Sequence, residues 1–563
     1  MQTPIAILPF LMLIPLLSGL LLPLLAGNQP ERVRSFALVM SLINFVISLG
    51  LLIGFDFTDS ASFGLVTDIG WFSSLGLNFS FGIDSISLWL VLLTTFLMPI
   101  VILSSFSAVK KRVREFYIWL LLLEAAMIGV FVSTNVIFFY VCFEFTLIPM
   151  YFLIGIYGSS QRLKAARVFF LYTFTGSMFT FAGLLYMASC NGDTGVWNFD
   201  FASLMNAHKY MSETQQLWVM LAMLAGFAVK VPIFPLHTWL PLAHTEAPTA
   251  GSVVLAGVLL KLGTYALLRL AIPMLPDAAL IVAPYMGIVA IIGIVYAALI
   301  CWVQKDIKKL VAYSSISHLG FCILGMFAIN VQGISGSVMY MINHGLSTGA
   351  LFLLIGMVYE RYHTREMSQL SGLAKVMPIW ASFMVFFAMA SVGLPGLNGF
   401  VGEFLTLLGS FTSVLMGPVY AAVAGTGLIF GAIYILYMLG KVVWGPLKIP
   451  EGHQVTDLNK REITVLVPLA VACLWLGVYP APVLNSLEAP AAAIVQRVGM
   501  SREKMPPAPI YHQALKHSDS TLNRSQGLKM QVAQLTSETL KLSETSGGLS
   551  RGLSGAIRGG GAQ

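Results

Sequence analysis

The sequence predicts an all-α polytopic membrane protein of about 14 transmembrane helices, arranged as two inverted five-helix repeats with helices seven and twelve broken. Three observations carry this. Hydrophobic residues make up 57% of the 563, charged residues only 10%, and the mean hydropathy is +0.82, whereas soluble domains carry about 25% charged residues. Apolar stretches of about 20 residues, enough to cross a bilayer as helix, recur from Leu8 almost to Tyr479. These stretches lack the period-two alternation of barrel strands, and inside lipid only helices and closed barrels satisfy every backbone group.

In chain order the spans centre near Pro15, Ile43, Thr94, Ala125, Glu144, Thr180, Ala225, Lys261, Ile291, His318, Ile342, Met389, Ile429 and Val471. No basic region precedes residues 6–27 and the run is long for a signal peptide, so it reads as the first spanning helix. Lys and Arg gather after odd-numbered spans: Arg32 and Arg34, then 110–114, 162–167, 305–309, 361–375 and 441–461. The alternate loops carry almost none, with Lys209 and Arg269 the main exceptions. Positive charge stays on the inner side, which puts both termini and the long 55–84 loop, with Asp56, Asp59 and Asp68, outside. The apolar signal fades after residue 484, so the membrane domain is expected to span 1–484. Residues 485–563, rich in Ser, Gly, Lys, Gln and Thr from Ser501 on, read as a polar disordered tail; an amphipathic turn or two over 528–542 is the alternative.

Two spans carry helix breakers. The seventh holds Pro232, Pro235, Pro241 and Pro248; the twelfth holds Gly393, Pro395, Gly396 and Gly399. Proline removes a backbone donor and glycine loosens the helix, so both spans are expected to be discontinuous. They run in opposite directions and each lies beside an ionisable residue, Lys230 or Glu403, the pattern of an inverted-repeat transporter. Repeats over approximately 115–273 and 279–444 place Glu144 and His318 in equivalent spans, although the halves share little literal sequence.

Several function classes are disfavoured. The five cysteines are scattered without C-x-x-C spacing, and neither a dinucleotide fingerprint nor a phosphate loop is present, so no cofactor is expected in this chain. The net charge of +7 is spread over short loops rather than along one stripe, so no nucleic-acid partner is expected; the lipid bilayer is the surrounding medium. His237, His244 and Glu246 resemble a metal cluster at first sight, but prolines separate them and H-E-x-x-H is absent; lining the inner mouth of a path is the favoured role, and no metal is expected.

The candidate site consists of ionisable residues inside apolar spans: Glu144, Lys230 and Lys261, joined by His318, His344 and Glu403. A charge at the bilayer centre costs about 2.5–3.5 kcal/mol even on insertion scales, so such residues face a polar interior and mark ion or proton routes. Lys230 is the natural partner of Glu144, and Lys261 lies one helix away, so the three are expected to titrate as a coupled set. A static ion pair locking helices together is the bland alternative. His318 and His344 stand among Ser314, Ser315, Ser317, Ser347 and Thr348, hydroxyls that can order water, and imidazole passes protons near neutral pH; packed, hydrogen-bonded histidines are the alternative. Glu403 reads as the end of the line or as a cap on a broken helix. Glu124 reads equally as a second relay point or a helix contact.

The strings FEFTLIPMYFLIGIYG, KVPIFPLHTWLPLAHTEAPTAGSVVLAGVLLKLGTYALLR, QKDIKKLVAYSSISHLGF and GLPGLNGFVGEFL resemble the proton-translocating antiporter-like subunits of respiratory complex I over roughly residues 5–480. The resemblance implies fourteen helices in two inverted repeats. It implies a proton path through Glu144, Lys230, Lys261, His318, His344 and Glu403, and no redox centre in this chain. NADH, FMN, iron–sulfur clusters and quinone would belong to partner subunits, and chains L and N and the quinone-site subunits would be this chain's partners in the membrane arm. Glutamate at 403, where sister chains L and N resemble one another in having lysine, favours the M-type branch. The implied function is proton translocation coupled to electron transfer from NADH to quinone, in a bacterial inner membrane. A subunit of a multi-chain Na+/H+ antiporter, or of a ferredoxin-fed relative of complex I, is the alternative, as is a purely structural subunit. The tail beyond Ser501 departs from the family pattern.

Overall fold

The computed structural model describes residues 7–27, 29–72, 77–190, 197–450 and 456–502. Among them, twelve helices are long and apolar enough to cross a membrane. They fall on all the predicted spans except the seventh and twelfth, which are the two carrying helix breakers.

Burial sorts the helices by role. The eighth span, Thr249–Met274, and the eleventh, Val331–Tyr362, are 100% buried over their apolar windows, whereas the second and thirteenth, Pro30–Gly54 and Pro418–Val442, are 28% buried. A helix that is apolar all round and fully enclosed forms the axis of a bundle, while one that exposes Val46, Ile53, Ile429 or Leu436 belongs on its apolar surface. The axis helices carry Lys261 and His344.

Span boundaries are set by local chemistry. Asn135 and Asp306 cap the starts of the fifth and tenth spans through backbone N–H groups of residues 137–138 and 308–309, and Asn459 forms a reciprocal capping box with Glu462 at the start of Lys460–Val478. Asp84 caps the helix Ser85–Ala108 and also pairs with Arg269 at 2.5 Å. Arg269, an exception in the charge pattern of the loops, is thus a buried partner of an N-cap.

Both predicted breaks are present. Helix Glu213–Lys230 ends at the lysine and helix resumes at Trp239–Glu246; the indole of Trp239 donates to Val229 O at 2.9 Å and Ile233 N–H to Ala228 O at 2.8 Å, so carbonyls freed by the prolines keep partners. Helix Pro378–Ser391 stops before Gly393 and Gly396, both at positive φ, and resumes as Asn398–Thr412. Asn343 and Asn398 bind each other's carbonyls at 2.5 and 3.2 Å, fixing the restart to the eleventh span.

Three features depart from the sequence reading. The 55–84 loop contains an antiparallel hairpin, β1 Gly64–Phe72 and β2 Leu77–Ile83, with Thr67 opposite Phe81 and Ile69 opposite Phe79. The fifth span divides at Thr146 into Val136–Phe145 and Leu147–Tyr157, because Pro149 cannot donate to the carbonyl four residues back. The membrane domain does not end at 484: helix Ala481–Arg502 buries Val483, Leu487, Ala491 and Val498. The guanidinium of Arg497 donates to Pro273 O at 2.9 Å and to Met205 O. This helix buries a narrow apolar stripe, so its average hydropathy is low and a window average misses it. The expected tail over 503–563 lies outside the described residues.

Candidate functional site

The Lys261 side chain is fully buried. Two π-helical segments, Leu255–Leu259 and Leu267–Ala271, flank its turn, a distortion that is frequent at functional sites. Its Nζ donates to Ala256 O and lies 2.6 Å from His344 Nδ1. The imidazole can accept from an ammonium or donate to a neutral amine, so the same contact serves a proton on either side.

The His344 ring centroid lies 5.6 Å from that of His318. His318 Nδ1 is 2.5 Å from Tyr340 Oη, and Tyr340 Oη donates to Glu403 Oε1 at 2.5 Å. On its other side, His318 Nε2 is 3.2 Å from Ser391 Oγ, at the end of the helix preceding the twelfth-span break. The structure therefore brings Lys261, His344, His318 and Glu403 into one buried line, with Tyr340 inserted between the last two. Glu403 is not a cap: its carboxylate turns across to the eleventh span. Gly393 makes room for it, since φ is +79° there and a Cβ would collide with Glu403 Oε2.

At the other end, Glu144 and Lys230 do not form the expected ion pair. Lys230 Nζ donates to Thr146 Oγ1 at 3.0 Å and to Phe143 O at 3.3 Å, and sits 4.1 Å from the Phe143 ring centroid. The divided fifth span supplies these substitute partners. Glu144 is half-buried, between the exposed Val141 and Ile148, and neither carboxylate oxygen has a hydrogen-bond partner among the described residues. Lys230 nevertheless reaches the eighth span, where Gly263, two residues past Lys261, packs against Lys230 and Val231.

The other candidates separate. Glu124 is fully buried and accepts from Asn44 Nδ2 at 2.8 Å, a contact between the fourth and second spans. His237 stacks on Phe234 and His244 on Phe352, while Glu246 accepts from Gln161 N–H at 2.8 Å. Among the described residues no group of three or more metal-binding side chains occurs.

Sequence reasoning missed Tyr340, Thr146 and Ser391. Tyr340 had a signal: it lies four residues before His344, on the same helix face. Ser391 and Thr146 are marked only by helix irregularities that follow from Gly393 and Pro149.

The transmembrane family described as NADH:quinone oxidoreductase/Mrp antiporter matches residues 133–431, which include all six site residues predicted from the sequence. That description leaves two kinds of assembly open. Full-length relatives decide between them: the chain is 42% identical to NADH-quinone oxidoreductase subunit M of Rhodobacter capsulatus over 506 residues, covering 88% of this chain and 97% of that one. The chain belongs to the subunit M family. The same family includes NADH-ubiquinone oxidoreductase chain 4 of Marchantia polymorpha, 42% identical over 487 residues, with 86% of this chain and 96% of the relative covered. Among solved structures, respiratory complex I from Thermus thermophilus with bound NADH contains a chain matching at a TM-score of 0.78 and 30% identity, over 88% of this chain and all of that one. The Mrp complex from Dietzia sp. DQ12-45-1b matches at a TM-score of 0.77 but 19% identity, over 88% of this chain and 99% of that one, which establishes a common fold only. As a subunit M family member, the chain is a multi-pass membrane-arm subunit of a proton-translocating NADH:quinone oxidoreductase, and the enzymatic activity is that of the assembled complex.

Proposed function

We propose that Glu144, Lys230, Lys261, His344, His318 and Glu403 form the proton path of this subunit. One observation carries the reading: buried polar groups run from Lys261 through His344 and His318 to Glu403, with contacts of 2.6 Å at one end and 2.5 Å on either side of the Tyr340 hydroxyl at the other. Lys230, free of Glu144, is a cation beside the eighth span, and an unpaired ammonium repels a proton held on Lys261. Closing the Glu144–Lys230 pair removes that push. Redox energy released elsewhere in the complex shifts this pairing, and the proton on Lys261 passes to His344, across to His318, and out through Glu403.

NADH, FMN, iron–sulfur clusters and quinone reside in partner subunits, and chains L and N and the quinone-site subunits are the neighbours. The membrane is a bacterial inner membrane, both termini lie on its outer side, and residues 115–273 and 279–444 form the two inverted repeats.

The test is Lys230→Ala in inverted membrane vesicles with NADH as donor, with assembly followed on native gels. Loss of both proton pumping and quinone reduction from a fully assembled complex supports the path. Unchanged pumping reduces the buried charges to helix contacts.

A further inference from the structure

We infer that the Tyr340 hydroxyl is an obligatory proton carrier between His318 and Glu403. The inference rests on the path proposed above and adds to it an uncharged residue.

Distance makes the case. His318 Nδ1 and Glu403 Oε1 are 3.9 Å apart, beyond the range of a direct hydrogen bond. Tyr340 Oη stands between them, 2.5 Å from each. Tyr340 is 2% exposed, its ring meets those of His318 edge-on at 5.8 Å and Phe321 at 6.1 Å, and its backbone is fixed within the 32-residue helix Val331–Tyr362. The twelfth span approaches it at Gly402, where a Cβ would lie 2.6 Å from Tyr340 Cβ. The hydroxyl is therefore held in place by packing from both sides.

Proton bookkeeping assigns the direction. A phenol has one proton, and here it points to Glu403, so the contact with His318 requires a proton on Nδ1 of the imidazole. In the transfer, a proton arriving from His344 first makes His318 the imidazolium, with Nδ1 and Nε2 both protonated; the O–H bond of Tyr340 then breaks as its proton joins the Glu403 carboxylate, and the Nδ1–H bond of His318 breaks as that proton joins Tyr340 Oη. His318 ends as the neutral imidazole, with Nδ1 bare and Nε2 protonated. Tyr340 ends neutral with its new proton facing His318, and Glu403 carries the excess proton. Release from Glu403, rotation of the hydroxyl and exchange of the His318 tautomer from Nε2–H to Nδ1–H restore the start. No net charge resides on the phenol at either end of the step. Cys322 of the tenth span and Tyr434 of the thirteenth also face this cluster.

The experiment compares wild type, Tyr340→Phe, Lys261→Ala and a form with fluorotyrosine at 340, each as the whole complex in inverted vesicles. Tyr340→Phe keeps the packed ring and removes only the hydroxyl. Fluorotyrosine keeps the hydroxyl and makes it a stronger acid. The expected results are an assembled Tyr340→Phe complex whose pumping falls roughly tenfold or more, within the range that positioned acid–base groups contribute, and a fluorotyrosine form whose pH profile of pumping moves. Wild-type pumping by Tyr340→Phe, with Lys261→Ala inactive, overturns the inference and leaves the path standing. An inactive Tyr340→Phe with an unmoved fluorotyrosine profile makes Tyr340 a structural bridge and also overturns it. If Tyr340→Phe fails to assemble, the fluorotyrosine profile alone decides. Pumping by Lys261→Ala overturns the path itself.

Discussion

Lys261 Nζ lies 2.6 Å from His344 Nδ1 in the fully enclosed centre of the chain, where the eighth and eleventh spans meet. Both groups are of a kind that can bind and release a proton, both are buried, and together they form the midpoint of the proposed route. Removing the acceptor while keeping the lysine tests whether that contact is used. His344→Ala is expected to assemble and to lower pumping at least about tenfold, since a positioned acid–base group contributes on the order of 10²–10⁴ in rate. Quinone reduction by the same vesicles should fall with it.

Glu144 has no hydrogen-bond partner among the described residues and is half-buried, so its carboxylate contributes little to folding. Glu144→Gln is therefore expected to leave assembly and thermal stability unchanged while impairing pumping, because an amide cannot draw Lys230 away as a carboxylate does. Native gels and a melting curve of the purified complex check the first half, and vesicle assays the second. Equal losses of assembly and activity would contradict it.

Gly393 and Gly402 are expected to tolerate no side chain. Gly393 stands at φ +79° with Glu403 Oε2 where a Cβ would go, and Gly402 is closed by Tyr340. Alanine at a position with positive φ destabilises by more than about 1 kcal/mol before any clash is counted. Gly393→Ala should lower the melting temperature and also displace the Glu403 carboxylate, so pumping should fall further than assembly does. Gly402→Ala, at ordinary φ, should act through the separation of the eleventh and twelfth spans.

Asp84 and Arg269 form a buried ion pair at 2.5 Å, with the guanidinium also over the rings of Phe63 and Tyr265. Breaking such a pair by neutralising one partner costs about 3–5 kcal/mol, because the other charge stays buried and unpaired. Asp84→Asn is thus expected to reduce the amount of assembled complex sharply, and Asp84→Asn combined with Arg269→Gln to recover part of it. Any assembled Asp84→Asn complex should pump at the wild-type rate per complex, since this pair lies off the route.

The architecture was legible because lipid imposes long apolar helices, and Pro232, Pro235, Gly393 and Gly396 mark the two breaks directly. The charged site residues were legible for a similar reason: a lysine or glutamate inside an apolar run is costly without a purpose. Tyr340 was not, because a tyrosine in a helix core carries no such cost and its partner Glu403 is 63 residues away. The open state of Glu144 and Lys230 was hidden too. Complementary charge argues for a pair, whereas the kink after Phe145, which hands Lys230 the hydroxyl of Thr146 and the carbonyl of Phe143, depends on three-dimensional packing. Helix Ala481–Arg502 escaped because it buries only a stripe, and the β1–β2 hairpin because β1 is largely exposed and shows no buried–exposed alternation.

Proton pumping by Lys261→Ala in sealed inverted vesicles is the most direct measurement, with NADH as donor and the amount of assembled complex determined on native gels. The buried route requires that an intact, assembled complex lose NADH-driven proton uptake when the midpoint lysine is gone. Wild-type proton uptake per assembled complex would contradict it, leaving Lys261, His344, His318 and Glu403 as a set of polar contacts that hold the central helices together.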